Sequence, residues 1–64
     1  GLPAGTRVQT PSGSGTVVYV RYGPPDFAEA ISYSVLLDHS AVRPILPYQG
    51  TVFPADTVTK EKTT

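Results

Sequence analysis

Two short stretches of the 64-residue chain contain residue types that could do chemistry. Asp38-His39-Ser40 contains the acid, base and nucleophile of a serine hydrolase, but a triad needs side chains that converge, and neighbours on an extended chain point to alternate sides. Ser12-Gly13-Ser14-Gly15 is as glycine-rich as a phosphate loop, yet it lacks the lysine and the following helix. We predict a strand end running into a polar turn at the first stretch and a flexible hairpin turn at the second.

Metal and cofactor sites are not predicted either. The chain has one histidine, His39, no cysteine and five acidic residues that do not cluster in the sequence. A zinc site takes three or four protein ligands close together, and His39 with Asp38 supplies only two. We therefore expect no metal, no cofactor and no enzymatic activity; an enzyme formed by oligomerisation around a shared pore is the remaining catalytic alternative, and no residue argues for it.

Size and charge limit the other function classes. A chain of this length makes a single small domain, which apolar packing and hydrogen bonds must hold together because no disulfide or metal is available. Five basic and five acidic residues cancel, which disfavours nucleic acid as a partner and gives no attraction to anionic membranes. No apolar stretch approaches the roughly 20 residues of a membrane span. We expect no membrane association and a cytoplasmic location, since the absence of cysteine fits a reducing compartment.

The elements that must position any binding residue are predicted to be strands. Valine and threonine are abundant, while seven prolines and six glycines interrupt the chain every few residues, so helices are disfavoured. Five short strands are predicted, at residues 6–10, 16–22, 32–38, 50–53 and 58–60, with one 3₁₀ turn after Pro54. Tyr33, Val35 and Leu37 share one face of the third strand. Residues 27–30 and 39–47 are predicted loops, residues 1–60 form the domain, and residues 61–64 form a frayed polar tail.

The second predicted strand contains an irregularity. Val17 and Val20 both look like inward residues, but strict alternation would place them on opposite faces of the sheet. A β-bulge between them resolves the conflict. The bulge leaves three residues able to face outward: Tyr19, Arg21 and Tyr22. The strand would then contribute mainly to the core and secondarily to a contact surface.

Four segments carry a resemblance to a known fold. They are Gly5-x-Arg7-Val8, Gly15-Thr16-Val17-x-Tyr19-Val20, Tyr33-x-Val35-x-Leu37-Asp38 and Tyr48-x-Gly50-x-x-Phe53-x-x-x-x-Val58. Together they resemble an SH3-like barrel, nearest in pattern to CAP-Gly domains and also similar to KOW and Tudor modules. The resemblance implies an all-β, five-stranded, antiparallel barrel. The glycine-, lysine- and asparagine-containing loop with which CAP-Gly domains capture acidic tails is replaced by residues 39–44, so that activity does not transfer.

Six residues are candidates for binding, five of them aromatic and one an arginine. The chain has six aromatic rings, which is more than so small a core can hold, so some should reach the surface. Phe27 and Tyr48 lie in the two predicted long loops and would form the apolar centre of a groove, with Arg43 at its rim. Folding of Phe27 back as a plug of the barrel end is the competing hypothesis. Tyr22, Tyr33 and Phe53, near strand ends, are candidates for an aromatic cage.

These candidates predict a function as well as a site. The leading hypothesis is a non-catalytic adaptor or scaffold module that binds a peptide or protein surface in the loop groove. The alternative is a Tudor- or KOW-like reader of modified histone or nucleic acid.

Overall fold

The computed structural model describes residues 1–39 and 50–62, which form one antiparallel sheet. Its strands are β1 (Arg7–Thr10), β2 (Gly13–Gly23), β3 (Glu29–Leu37), β4 (Thr51–Pro54) and β5 (Thr59–Lys60), with a 3₁₀ turn at Ala55–Thr57. The strand order is β4-β3-β2-β1-β5, so β1 to β4 form a meander and β5 returns to pair with β1. The predicted all-β class, the five strands and the 3₁₀ turn before the last strand are confirmed.

β2 begins earlier than predicted, at Gly13 instead of Thr16. Residues 13–15 pair with β1 in the register Thr10↔Gly13, Gln9↔Ser14 and Val8↔Gly15, so the predicted five-residue turn is reduced to Pro11 and Ser12. The predicted turn was wrong because glycine and serine, although common in turns, have backbone N–H and C=O groups that pair with a neighbouring strand as those of other residues do. Gly15 has a further role, since a Cβ there would lie 2.6 Å from the carbonyl oxygen of Leu36.

The predicted bulge in β2 is confirmed. Val17 pairs with Val35 and Tyr19 pairs with Ser34, which leaves Val18 without a counterpart on β3. As a result, Val17 is buried at 1% exposure and Val20 packs against the same core. A second irregularity leaves Ile31 of β3 unmatched, between the pairs Arg21↔Ser32 and Tyr22↔Ala30. β3 therefore starts at Glu29, inside the segment that was predicted to be loop.

The core lies on one face of the sheet. Its buried apolar residues come from every strand region except β5: Val8, Val17, Tyr33, Val35, Leu37, Phe53 and Val58. The predicted shared face of Tyr33, Val35 and Leu37 is confirmed by their burial. The chain start packs against this cluster through Leu2, whose backbone N–H donates to the hydroxyl of Tyr33 at 2.9 Å.

The sheet must curl strongly, because its two edge strands are joined by residues 55–58 alone. A flat sheet would separate β4 from β5 by four strand spacings, about 19 Å. A 3₁₀ turn that rises about 2 Å per residue, with an extended step on either side, spans only about 13 Å. The edges therefore approach each other around the core, although no β4–β5 ladder closes the sheet within the described ranges.

The end of the described chain is tied to β1. Glu61, which the sequence placed in a frayed tail, donates its backbone N–H to the carbonyl oxygen of Arg7 at 2.9 Å and continues the β1–β5 pairing. In the part of the chain that the structure describes, no helix is long and apolar enough to cross a membrane.

Candidate binding surfaces

Asp38, at the end of β3, is bound to an arginine on β1, two strands away in the sheet. Arg7 donates to both carboxylate oxygens of Asp38, at 2.7 Å from Nη1 and 2.5 Å from Nη2. The same guanidinium donates to Thr16 Oγ1 at 3.0 Å and lies 3.5 Å from a carboxylate oxygen of Glu61. The hydrogen bonds from Arg7 hold the pKa of the Asp38 carboxyl below its usual value of 3.8. This network joins β1, β2 and the end of β3, which is a structural role.

His39 is bound elsewhere. Its Nε2 donates to the backbone carbonyl of Ser12 at 2.9 Å, which ties the end of β3 to the β1–β2 turn. The acid and base of the triad-like stretch are thus each engaged by another group, and Ser40 lies outside the described residues. Residues 1–39 and 50–62 contain no group of three or more histidine, cysteine or acidic side chains placed to hold a metal.

The tip of the β2–β3 hairpin presents Phe27 to solvent. The N–H of Phe27 donates to the carbonyl of Gly23 at 2.8 Å, and the N–H of Ala28 donates to Asp26 Oδ1 at 3.1 Å. These bonds hold Phe27 at φ 55°, a left-handed conformation that costs an L-residue about 1–2 kcal/mol. The ring is 63% exposed and is not a member of the core cluster. The competing plug hypothesis is therefore wrong, since a plug must be buried.

Of the six predicted binding residues the structure describes four, and it does not bring these four together at one surface. Tyr22 is exposed, but Tyr33 and Phe53 are 4% and 7% exposed and lie opposite each other in the β3–β4 register. An aromatic cage needs open ring faces, so these two rings are core residues and cannot form one with Tyr22. The remaining two candidates, Arg43 and Tyr48, lie outside the described residues.

A second exposed surface lies on the outer face of β2, β3 and β4. Strand register defines two rows that run across it, Tyr19–Ser34–Val52 and Arg21–Ser32–Pro54. Ile31, the unmatched residue of β3, lies against Gly23, since a Cβ on that glycine would meet the Ile31 side chain. We call the large side chains of this surface the outer patch; they are Tyr19, Arg21, Ile31, Val52 and Pro54.

The outer patch departs from the polarity expected of a solvated sheet face. Outward residues of β1 and the start of β2 are polar and pair across the strands, as Gln9 does with Ser14 and Arg7 with Thr16. Tyr19, Ile31 and Val52 are instead 43%, 54% and 55% exposed. The sequence predicted outward positions for Tyr19 and Arg21 but missed Ile31 and Val52. A four-residue strand is too short for periodicity to assign a face, and a bulge cannot be located in β3 without its partner.

Arg21 is the charged member of the outer patch. Its guanidinium carbon lies 5.7 Å from the centroid of the Tyr19 ring, within the range of a cation–π contact. Among the described residues no carboxylate forms an ion pair with Arg21. The patch therefore combines apolar area with a positioned cation that has no acidic partner in residues 1–39 and 50–62.

No protein family, curated protein or solved structure matches this chain in comparisons with known proteins. Two surfaces of the molecule, the hairpin tip and the outer patch, are therefore the candidates for its function.

Proposed function

We propose that this chain is a non-catalytic protein-interaction module, an adaptor or scaffold unit, that binds a peptide or protein surface at the hairpin tip around Phe27. The observation that carries the proposal is the exposed ring of Phe27 on a left-handed backbone fixed by two hydrogen bonds. Conformational strain of this kind persists where the surroundings impose it, and it clusters at functional sites. Arg43 and Tyr48 are proposed to complete the groove from the second loop.

The fold proposed with this function is an SH3-like barrel, nearest to the CAP-Gly pattern. A curled meander supports it, together with a long bulged β2 that contributes to both halves of the sheet and a 3₁₀ turn that leads back to β1. Small barrels of this shape commonly present binding loops, although that support is an analogy between folds. A cytoplasmic location belongs to the same proposal, because a chain without cysteine has no need of an oxidising compartment.

An exposed aromatic ring is suited to protein recognition for an energetic reason. Large rings that become buried at an interface are frequent hot spots, and truncation of one typically costs about 1–3 kcal/mol of binding free energy. Because Phe27 is already positioned by the hairpin, little conformational freedom remains to be lost on binding. The alternative reader of modified lysine is less well supported, since Tyr33 and Phe53 are buried.

The test compares two replacements of Phe27 that remove the same ring. Phe27→Ala keeps a Cβ at the left-handed position, whereas Phe27→Gly removes it and tolerates φ 55°. Both variants should lose capture of partner proteins from the source extract, identified by mass spectrometry against the wild-type domain. Gly should nevertheless be the more stable of the two, by roughly 0.5–1 kcal/mol, after the entropy of the unfolded glycine chain is subtracted.

The difference in stability between Phe27→Ala and Phe27→Gly distinguishes a loss of folding from a loss of binding. If Phe27→Gly folds with a melting temperature close to wild type and still captures the same proteins, the hairpin tip is not the contact surface and the proposal fails. Tyr22→Ala is the matched control, because Tyr22 is also an exposed aromatic residue of β2 but lies outside the tip.

A further inference from the structure

We infer that the outer patch is a second contact surface, which binds a short peptide with a carboxylate beside an apolar side chain. The inference goes beyond the proposed function, since it concerns a different face of the sheet and does not depend on Phe27. It depends on three observations: the exposed apolar area, the positions that the strand register gives to the flanking side chains, and the charge of Arg21.

The apolar area is concentrated on one half of the outer face. An antiparallel sheet with one solvated face normally alternates apolar-in with polar-out. β1 and the first part of β2 follow this rule, but Tyr19, Ile31 and Val52 break it on three consecutive strand segments. Contiguous exposed apolar side chains with polar neighbours are typical of interaction sites.

The strand register determines which side chains of the patch a ligand can contact. In both rows the middle residue, on β3, is a serine, and larger side chains flank it on β2 and β4. Ser34 is 1% exposed, so its hydroxyl cannot reach a ligand. Contacts must come from the flanking side chains.

The positive charge of Arg21 favours a negatively charged ligand. Arg21 is exposed, contacts the Tyr19 ring, and has no carboxylate partner in the described ranges. A guanidinium on an aromatic face keeps its N–H donors available for a planar carboxylate, which it binds through paired hydrogen bonds. Single-stranded nucleic acid is disfavoured, because tracking a phosphate backbone takes several cations and the patch has one in a chain of zero net charge.

The probe is a synthetic acetylated and amidated peptide of sequence Glu-Phe-Asp-Leu-Glu-Phe-Asp, titrated into ¹⁵N-labelled protein. Amide shifts should map to β2, β3 and β4 on the outer patch. Arg21→Ala should raise the dissociation constant about tenfold, as expected for the loss of a charged hydrogen bond. Val52→Thr should raise the dissociation constant about fourfold, which corresponds to the loss of one buried methyl group. Lys60→Ala removes the same charge from β5, where Lys60 lies opposite the core residue Val8 and not on the outer face, and it should change the dissociation constant less than about twofold.

Two further probes identify the source of binding. The same peptide with lysine at each acidic position should show no binding, and a dT15 oligonucleotide should bind far more weakly than the acidic peptide. Equal effects of Arg21→Ala and Lys60→Ala, shifts confined to the hairpin tip, or tighter binding of dT15 would each overturn the inference. Phe27→Gly should bind the acidic peptide as wild type does, so failure of this inference and failure of the proposed function are distinguishable.

Discussion

Gly15 provides the sharpest test of the sheet register. It lies between Val8 and Leu37 in a row that crosses the core face. A Cβ at this position would lie 2.6 Å from the carbonyl oxygen of Leu36, 2.6 Å from Val35 Cγ1 and 3.1 Å from the Leu36 carbonyl carbon. Rotation of a side chain relieves only the contact with Val35. The carbonyl belongs to the backbone of β3, so Gly15→Ala must push two paired strands apart.

The cost follows from overpacking, which typically destabilises a core by about 1–3 kcal/mol, and a backbone clash lies at the upper end. A domain of 64 residues has a total stability of roughly 3–10 kcal/mol. At about 4–8 °C per kcal/mol for a small domain, the melting temperature should fall on the order of 10–20 °C. Thermal and urea denaturation followed by circular dichroism measure both quantities.

Gly23→Ala is the matched control. A Cβ at Gly23 meets the side chain of Ile31, which is exposed and can rotate or be removed. This variant should cost no more than about 1.5 kcal/mol, the value of an off-rotamer side chain, and Ile31→Ala should recover part of it in the double variant. A loss below about 1 kcal/mol for Gly15→Ala would mean that the register around Val8, Gly15 and Leu37 is wrong.

Two other expectations follow from the core and from the arginine network. Val17→Ala and Leu37→Ala should each lower the free energy of unfolding by about 2 kcal/mol or more, as judged by denaturant midpoints, because both side chains are buried in a core too small to collapse around a cavity; a change below about 0.5 kcal/mol would contradict the strand faces. The depressed pKa of Asp38 means that the unfolded chain binds its proton first, so stability is full above about pH 4 and falls as the pH drops toward the folded-state pKa. Asp38→Asn should therefore lower the melting temperature at about pH 7 and converge with wild type as the pH falls through the folded-state pKa of Asp38; a difference independent of pH would refute the Arg7 interaction as its cause.

The strands could be predicted because their signals are local. Alternation around Tyr33, Val35 and Leu37 identified the third strand. The bulge after Val17 was located because Val17 and Val20 both had to face the core. The 3₁₀ turn followed from Pro54 and the small residues after it. Boundaries were less predictable, since the glycines at the start of β2 read as turn residues until their partners on β1 are known.

The candidate site was less predictable, because exposure depends on partners far away in the sequence. No local sequence pattern around Tyr33 and Phe53 predicts that they are buried. They become core residues because β3 and β4 place them opposite each other. Val52 and Ile31 became surface residues for the same kind of reason. For Phe27 the sequence left both an exposed ring and a buried plug open, and the structure decides for the exposed ring. Its left-handed backbone had no sequence signal, since phenylalanine rarely adopts that conformation.

The pairing of β5 with β1 also determines how the domain responds to mechanical tension. The strands are antiparallel, with Val8 opposite Lys60 and Gln9 opposite Thr59, so the entry of β1 lies beside the exit of β5. A pull on the two flanking chain segments acts along the interstrand hydrogen bonds, across the strands, and breaks the bonds one at a time. On the C-terminal side the contacts between Glu61 and Arg7 open first, followed by the two residue pairs of β5. Unzipping in this geometry takes little force, so a tethered copy of this domain would yield at its last strand while the β2–β3 hairpin remains folded.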